Sequence, residues 1–356
     1  MLRDLTIQNY RCFQEFQIDD LARVNLIVGG NNTGKTSLLE AIYLYVTQNH
    51  PSSLVSLLEN RGEISILYSS PVNPKYQIYD LFYGHGIIGR DKAIAIDSIS
   101  DKSPAVTIKI VRDIQEIISE QAKIFSTYKI RFVAGENSVW ELDVIENGSV
   151  KFNSAYNSTM LELGWDDLTA NSILIPTDNL SAINMNKWWD AITLTPKEEK
   201  VVKALQIIEP KAERINFTSS DTANKKILLK LRGARHPIPL SSMGDGMRRL
   251  LMLAMATVTV ENGVLLVDEI DTGLHYQTQT DMWRLILETA QQLNVQVFAT
   301  THNWDCICAF QETLEQLEDN SVGKLFRLSR RDDTIKPVAY TADELNIAIP
   351  HSIEVR

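Results

Sequence analysis

Three stretches of this 356-residue chain predict an α/β fold built on a parallel sheet. Gly29-Gly30-Asn31-Asn32-Thr33-Gly34-Lys35-Thr36 fills the phosphate-loop pattern G-x-x-x-x-G-K-[ST], between an apolar run at 24–28 and a helically spaced run that opens at Ser37. Gly263-Val264-Leu265-Leu266-Val267-Asp268-Glu269 is a second apolar run, ending in two carboxylates, and residues 295–299 form a third, ending in Thr300-Thr301-His302-Asn303. Short buried runs that finish in polar side chains are the pattern of parallel strands delivering chemistry to one sheet edge.

The composition is that of a globular chain, with 44% apolar residues and length for one large domain or two lobes. Nowhere do about eighteen apolar residues run together, and Met1-Leu2-Arg3-Asp4 leads straight into an alternating segment. The expectation is a soluble cytoplasmic protein with no membrane span. Cys12, Cys306 and Cys308 cannot make a complete disulfide set, and a C-x-C without a second pair is a poor zinc site, so buried thiols are expected. A net charge of −10 argues against a surface that grips nucleic acid everywhere and leaves a local basic patch open.

Taken in order, residues 5–10 and 13–18 alternate and, with the run at 24–28, predict three strands of a half-exposed sheet, the first two antiparallel. Arg11 falls in the turn between those two. The glycines of the loop allow the backbone N–H groups to curl inward over phosphate oxygens, helped by the positive end of the following helix. Lys35 is placed to reach the β- and γ-phosphates, and the Thr36 hydroxyl to ligate Mg²⁺. Residues 64–68, 75–82, 92–99, 105–111, 127–133 and 138–146 alternate and predict a mostly antiparallel β region with a turn at Asn147-Gly148 and one helix over 114–124. Residues 172–176 read as a short buried strand. Thr195-Pro196-Lys197-Glu198 predicts a helix start with a capping box, followed by an apolar stripe of Val201, Val202, Leu205 and Ile208. Trp188 and Trp189 are expected to pack in a core.

The acid pair sets the roles of the second half. Asp268 is expected to hold Mg²⁺ through its water shell, and Glu269 to orient or deprotonate the attacking water. His302, at a strand end, is placed to read the γ-phosphate, whereas His50, His85, His236 and His351 have no such context. Ser242-Met243-Gly244-Asp245-Gly246, ahead of a helical run at 248–258, makes a second anion-binding helix end. One chain carries one triphosphate, so this second end is expected to serve another subunit's nucleotide.

The order of these motifs, completed by Asp271-x-Gly273-Leu274-His275 after the acid pair, resembles ABC-type ATPase heads of the RecF, SMC and overcoming-lysogenization-defect group, and most of all the stand-alone AAA ATPases of the last. Asn9-Tyr10-Arg11-Cys12-Phe13, the 188–217 block and Glu354-Val355-Arg356 share the likeness. It implies a P-loop NTPase forming a single ABC-type head over 1–356, with a mixed-sheet lobe, a parallel-sheet lobe and a mostly β insertion. Residues 1–50 would hold the first strands and the loop, 51–170 the antiparallel insertion, and 171–356 the helical connection and second lobe. It further implies ATP and Mg²⁺ as ligands and a homodimer sandwiching two ATP molecules, with higher assemblies left open. Residues 29–37, Ser37 included, would hold one nucleotide, covered by Ser242, Gly244 and Gly246 of the other subunit. Asp271 would link the two sites, and Arg11 would approach the phosphates. The family's loop glutamine has no clear counterpart here. The functional expectation is an ATPase acting as sensor or motor for a separately encoded effector, a nuclease or toxin, in anti-phage defence. No D-x-D cluster follows the last strand that would announce a fused nuclease. The alternative is a DNA-repair head clamping duplex DNA.

Overall fold

The three apolar runs become neighbouring strands, and everything else is arranged on the two faces of the sheet they make. The computed structural model describes residues 1–65, 75–84, 93–116, 124–135, 138–144, 149–151, 171–177, 182–218, 226–351 and 353–355. The chain opens with the hairpin β1 (Leu5–Tyr10) and β2 (Phe13–Ile18), then β3 (Val24–Val28), the helices α1 (Lys35–Val46) and α2 (Pro51–Asn60), and the strands β4 (Ile64–Ser65), β5 (Lys75–Gln77), β6 (Ala93–Asp97), β7 (Val106–Glu116), β8 (Ile124–Ala134), β9 (Ser138–Val144) and β10 (Ser149–Lys151). It continues through β11 (Ser172–Ile175), α3 (Ala182–Ile192), α4 (Pro196–Gln206), β12 (Ala212–Thr218), β13 (Lys226–Leu231), β14 (Ile238–Pro239) and α5 (Asp245–Thr259). The remainder is β15 (Val264–Val267), α6 (Tyr276–Gln292), β16 (Gln296–Thr300), α7 (Trp304–Glu315), the hairpin β17 (Gly323–Arg331) and β18 (Thr334–Tyr340), and α8 (Ala342–Ala348).

A six-stranded sheet of order β11-β15-β16-β3-β17-β18 is parallel up to its last strand, which pairs antiparallel at the edge. A nine-stranded antiparallel sheet of order β2-β1-β6-β7-β8-β9-β10-β5-β4 faces it, and β12-β13-β14 make a third, smaller sheet. Between the two large sheets lies α1, which touches β1 and β6 on one side and β11, β15 and β16 on the other. Residues from Ser37 to Tyr45 are accordingly buried all the way round the helix, as expected of a helix with no solvent face. One core fills this space, with Ile27, Leu266, Phe298 and Phe326 from the parallel sheet meeting Ile7, Ile94, Ile108 and Phe132 from the antiparallel one. A second core lies on the other face of the parallel sheet, among α3 to α8.

Several expectations are corrected. The run at 24–28 is not the third strand of a half-exposed sheet: every residue of β3 is buried, between β16 and β17. A continuous apolar run belongs inside a parallel sheet, where both faces are covered. The helix over 114–124 is replaced by strand at both ends, since β7 runs to Glu116 and β8 starts at Ile124; residues 117–123 lie outside the described residues. The segment 75–82 is strand only to Gln77 and then a 3-10 turn over Tyr79–Leu81. Tyr68, Lys92, the Asn147-Gly148 turn and residues 145–146 also lie outside the described residues, as does His85.

At α4 the cap is present but the box is not. Thr195 accepts from the Lys197 amide, while Glu198 reaches one residue further back, to the Leu194 amide at 2.8 Å. The reciprocal box occurs instead at Thr341 and Glu344, opening α8. Trp189 is buried and stacks on Phe217 at 4.9 Å, so the tryptophan core expectation holds there. The three cysteines are free thiols, Cys306 fully buried.

Candidate nucleotide-binding and hydrolysis site

Register brings the site together. Val267 of β15 pairs with Ala299 of β16, and Thr300 of β16 pairs with Ile27 of β3, so the three strands end nearly level. Residues just beyond them converge: the phosphate loop after β3, Asp268 and Glu269 after β15, and Thr301, His302 and Asn303 after β16. Such a level edge at the carboxyl ends of parallel strands is where open α/β sheets place ligands.

The loop has the geometry of a phosphate cradle. Gly29 and Gly34 have φ of 147° and 91°. A Cβ on Gly29 would meet the Leu328 carbonyl oxygen at 2.6 Å, and one on Gly34 would meet Cys12 Sγ at 2.8 Å. Thr33 Oγ1 closes the turn by donating to the Gly30 carbonyl at 2.9 Å. Lys35 Nζ donates to the Gly29 and Gly30 carbonyls at 2.8 and 3.1 Å, so the ammonium already lies over the cradle. Burial pushes it below its ordinary pKa, against the pull of Asp268 and Glu269. Gly30, Asn31, Asn32 and Thr36 are exposed, open to a ligand.

Opposite the loop, Thr36 Oγ1 donates to Asp268 Oδ2 at 2.9 Å, and Thr300 Oγ1 donates to Asp268 Oδ1 at 2.5 Å. Thr300 Oγ1 also accepts the Glu269 amide at 2.8 Å. One hydroxyl therefore aligns both acids. A hydroxyl and one carboxylate fit a hard cation whose other ligands are phosphate and water oxygens, and no group of three or more His, Cys, Asp and Glu stands ready to hold a metal among the described residues. Thr36 and Asp268 can hold Mg²⁺, which supplies charge neutralisation between phosphates when bound.

Glu269 has a positive φ of 45°, and its Oε1 lies 3.1 Å from His302 Nδ1. The pair is half-exposed to exposed at the mouth of the site. Asp271 accepts from Thr301 Oγ1 at 2.6 Å and from Asn303 Nδ2 at 3.0 Å. Each of the four residues at the end of β16 thus serves the acids of the next strand: Thr300 for Asp268, Thr301 and Asn303 for Asp271, His302 for Glu269. Of these, the sequence singled out only His302.

Ser242 and Gly244 are exposed, and Ser242 Oγ donates to the Pro239 carbonyl at 2.6 Å. The helix behind them starts earlier than expected, with Gly244 as its N-cap at φ 90° and Gly246 already in the first turn. No hydrogen bond or ion pair joins Ser242, Gly244 or Gly246 to the phosphate loop among the described residues.

Arg11 departs from the role implied for it. It is 5% exposed, with Nε 2.8 Å from Glu40 Oε2 and with Nη1 and Nη2 donating to Glu63 at 2.6 and 3.2 Å. Burial alone would depress this guanidinium, but Tyr10, Glu40 and Glu63 outweigh it and hold it above its ordinary value. Nη1 and Nη2 are hydrogen-bonded to Glu63 and Nε faces Glu40 in an ion pair without a hydrogen bond, so in this structure the side chain clamps two carboxylates. Two other arginines reach the loop or its helix: Arg330, whose Nη1 donates to the Asn32 carbonyl at 3.5 Å, and Arg61, at the end of α2, whose Nη2 donates to Ser37 Oγ at 3.3 Å while Nε holds Glu40 at 2.6 Å. Arg61 carries no motif, and the apolar stripe of α2 was the only signal that could have brought it near.

With this geometry the relatives can be placed. Residues 24–305 match the family described as AAA domain, putative AbiEii toxin, Type IV TA system. The chain belongs to that AAA family. Among curated proteins it is similar to an ATP/GTP phosphatase of Helicobacter pylori, 23% identical over 376 residues and covering 97% of each chain. A shorter likeness, 45% identical over 53 residues, is to the DNA replication and repair protein RecF of Lactobacillus acidophilus, covering 15% of this chain and 14% of that one. Among solved structures, an SMC head bound to the C-winged helix domain of ScpA aligns with a TM-score of 0.50 at 14% identity, over 96% of this chain and 99% of that one. An SMC head with an extended coiled coil, bound to the C-terminal domain of ScpA derived from Pyrococcus furiosus, aligns with the same TM-score at 12% identity, over 99% of both. As a member of the AAA family the chain is an ATPase, and its fold is that of the SMC heads.

Proposed function

We propose that the head works as an ATP-gated dimer that drives or reports to a separately encoded protein effector, a nuclease or toxin, in anti-phage defence. Lys35 and the loop amides bind the triphosphate, Thr36 and Asp268 hold Mg²⁺, and Glu269 takes the proton of the attacking water, with His302 oriented against it and toward the γ-phosphate. Proton abstraction by a positioned carboxylate contributes on the order of 10²–10⁴ in rate. The observation that carries the dimer is the exposed Ser242-to-Gly246 turn. It is a helix start without a side-chain cap and, among the described residues, without a hydrogen bond or ion pair to the phosphate loop of its own chain. Across a two-fold interface it would close over the nucleotide of a second copy, beside the exposed Tyr276 and the Asp271 turn. Because ATP would then touch both subunits, its binding favours the closed state and its hydrolysis removes that preference.

The toxin-system description of the family supports an effector, and the SMC heads bound to ScpA support a protein partner for such a head. The local likeness to RecF favours a second reading, in which the dimer clamps duplex DNA. Purification of the complex from its host, with ATPase assays at graded salt with and without duplex DNA, separates the two. A nuclease or toxin held in fixed ratio, with turnover indifferent to DNA, is the expected result. Stimulation by duplex that falls steeply with salt, and no such partner, would favour clamping.

A further inference from the structure

Arg249 is buried on the second turn of α5, 5% exposed. Its Nη2 donates to the backbone carbonyl of Glu269 at 3.2 Å, and its Nε and Nη1 have no hydrogen-bond partner among the described residues. Burial pushes the guanidinium down to about 10, and Asp271, the acid whose charge it feels, offsets this only in part. That acid is held elsewhere, by Thr301 and Asn303. A buried cation with idle donors is destabilising, so its presence calls for a role other than stability.

The bond it does make falls on a strained backbone. A non-glycine residue at φ 45° lies in the left-handed region, a strained conformation that persists only where its surroundings impose it. The Glu269 amide is fixed from β16 by Thr300 Oγ1, and its carbonyl is fixed from α5 by Arg249. This two-sided clamp sets where the carboxylate points. The same helix begins at the Ser242-to-Gly246 turn, and Gly246 packs on the Asp271 turn, where a Cβ would make an ordinary 3.5 Å contact with Leu274 Cδ2. The helix therefore touches both the capping turn and the base.

We propose that Arg249 is a positioning residue that holds Glu269 in its left-handed turn and passes the docking of a second copy's triphosphate on α5 to the water-activating carboxylate. The proposal rests on the dimer and base assignments above. The capping turn that covers one nucleotide is thereby linked to the base that serves the other, so the two pockets fire together.

The test is a cycle of Arg249→Met, Arg249→Lys, Glu269→Gln and the Arg249→Met/Glu269→Gln double variant, followed by kcat, KM, binding of a fluorescent ATP analogue and Tm. Arg249→Met should lower kcat roughly 10- to 100-fold while KM and analogue affinity stay within about twofold, the split expected when only transition-state positioning is lost. Its Tm should be unchanged or higher, because an unpartnered buried charge has gone. Arg249→Lys, which keeps one donor, should fall between. In the Glu269→Gln background the methionine should cost less than about twofold more, since the group it aims is already absent. Arg249→Met turning over like the wild type, or losing kcat together with Tm and by the same factor in both backgrounds, overturns the proposal. Glu269→Gln turning over normally would instead remove the base assignment itself, and this proposal with it.

Discussion

Two arginines lie within reach of the same loop and strand ends, equally buried at 5% exposure, and the protein treats them in opposite ways. Arg11 is met by two carboxylates, Glu40 and Glu63, and is held firmly charged. Arg249 is met by one backbone carbonyl and is pulled toward neutrality by burial. A buried ion pair is worth having only when its geometry satisfies both partners. Arg11 is paired with two carboxylates, and it stitches the β1–β2 turn to α1 and to the link between α2 and β4. Arg249 has no such pair among the described residues, and what it touches is Glu269, the residue proposed to activate the attacking water. Burial alone therefore does not separate a structural cation from a working one; its partners do.

Substitutions can sharpen or break this contrast. The largest effect is expected at Glu269→Gln, which should lower kcat by about 10²–10⁴ and leave Tm and ATP binding nearly intact; single-turnover hydrolysis beside a binding titration checks it. Next, on the structural side, Arg11→Met should leave the Glu63 and Glu40 carboxylates short of a partner and destabilise the fold by about 3–5 kcal/mol. ATPase activity per folded molecule should change little, and denaturant unfolding with activity normalised to folded fraction measures both. If kcat or KM for ATP moved strongly without loss of stability, Arg11 would be a nucleotide ligand after all.

Smaller effects should follow at the edges of the site. Thr300→Val removes the hydroxyl shared by Asp268 and the Glu269 amide, and should cost about 1–3 kcal/mol of stability for the buried groups left unpaired, with a fall in kcat at saturating Mg²⁺. Unfolding curves and initial rates on the same preparation test this. Arg61→Ala should be mildest. Losing a half-exposed donor to Ser37 should weaken ATP binding by a few-fold, and stability by less than about 1 kcal/mol, as an isothermal titration would report.

Much of the centre was legible because phosphate chemistry demands residue types at fixed spacings. The glycines of the loop, Lys35, Thr36 and the acids closing β15 are set by backbone curvature and charge, and each stands at a strand end where the apolar run stopped. The second arginine at the loop was not legible. Arg61 stands at the end of α2, 24 residues after Ser37 of α1, and only tertiary packing brings the two together. Arg249 was hidden for a related reason, since in a helical run it reads as one polar residue among apolar ones. Its idle donors are visible only once burial and partners are known. Arg11's partners were not legible, because its place in the motif order says nothing of Glu63, which reaches it from the link between α2 and β4. The middle of the chain was read as alternating but mistaken at 114–116 and at 124, where strand alternation passes for an amphipathic helix turn over so short a window.

The central claim is that neither nucleotide pocket is complete in one chain. Sedimentation equilibrium of the Glu269→Gln protein, with and without Mg²⁺ and ATP, tests it directly against the 40.2 kDa mass of one chain. The account predicts about twice that mass with ATP, one chain's mass without it, and loss of the ATP-dependent species on adding Ser242→Arg, because association depends on the shared ligand. A protein that binds ATP yet sediments as a single chain at every concentration tried would contradict it.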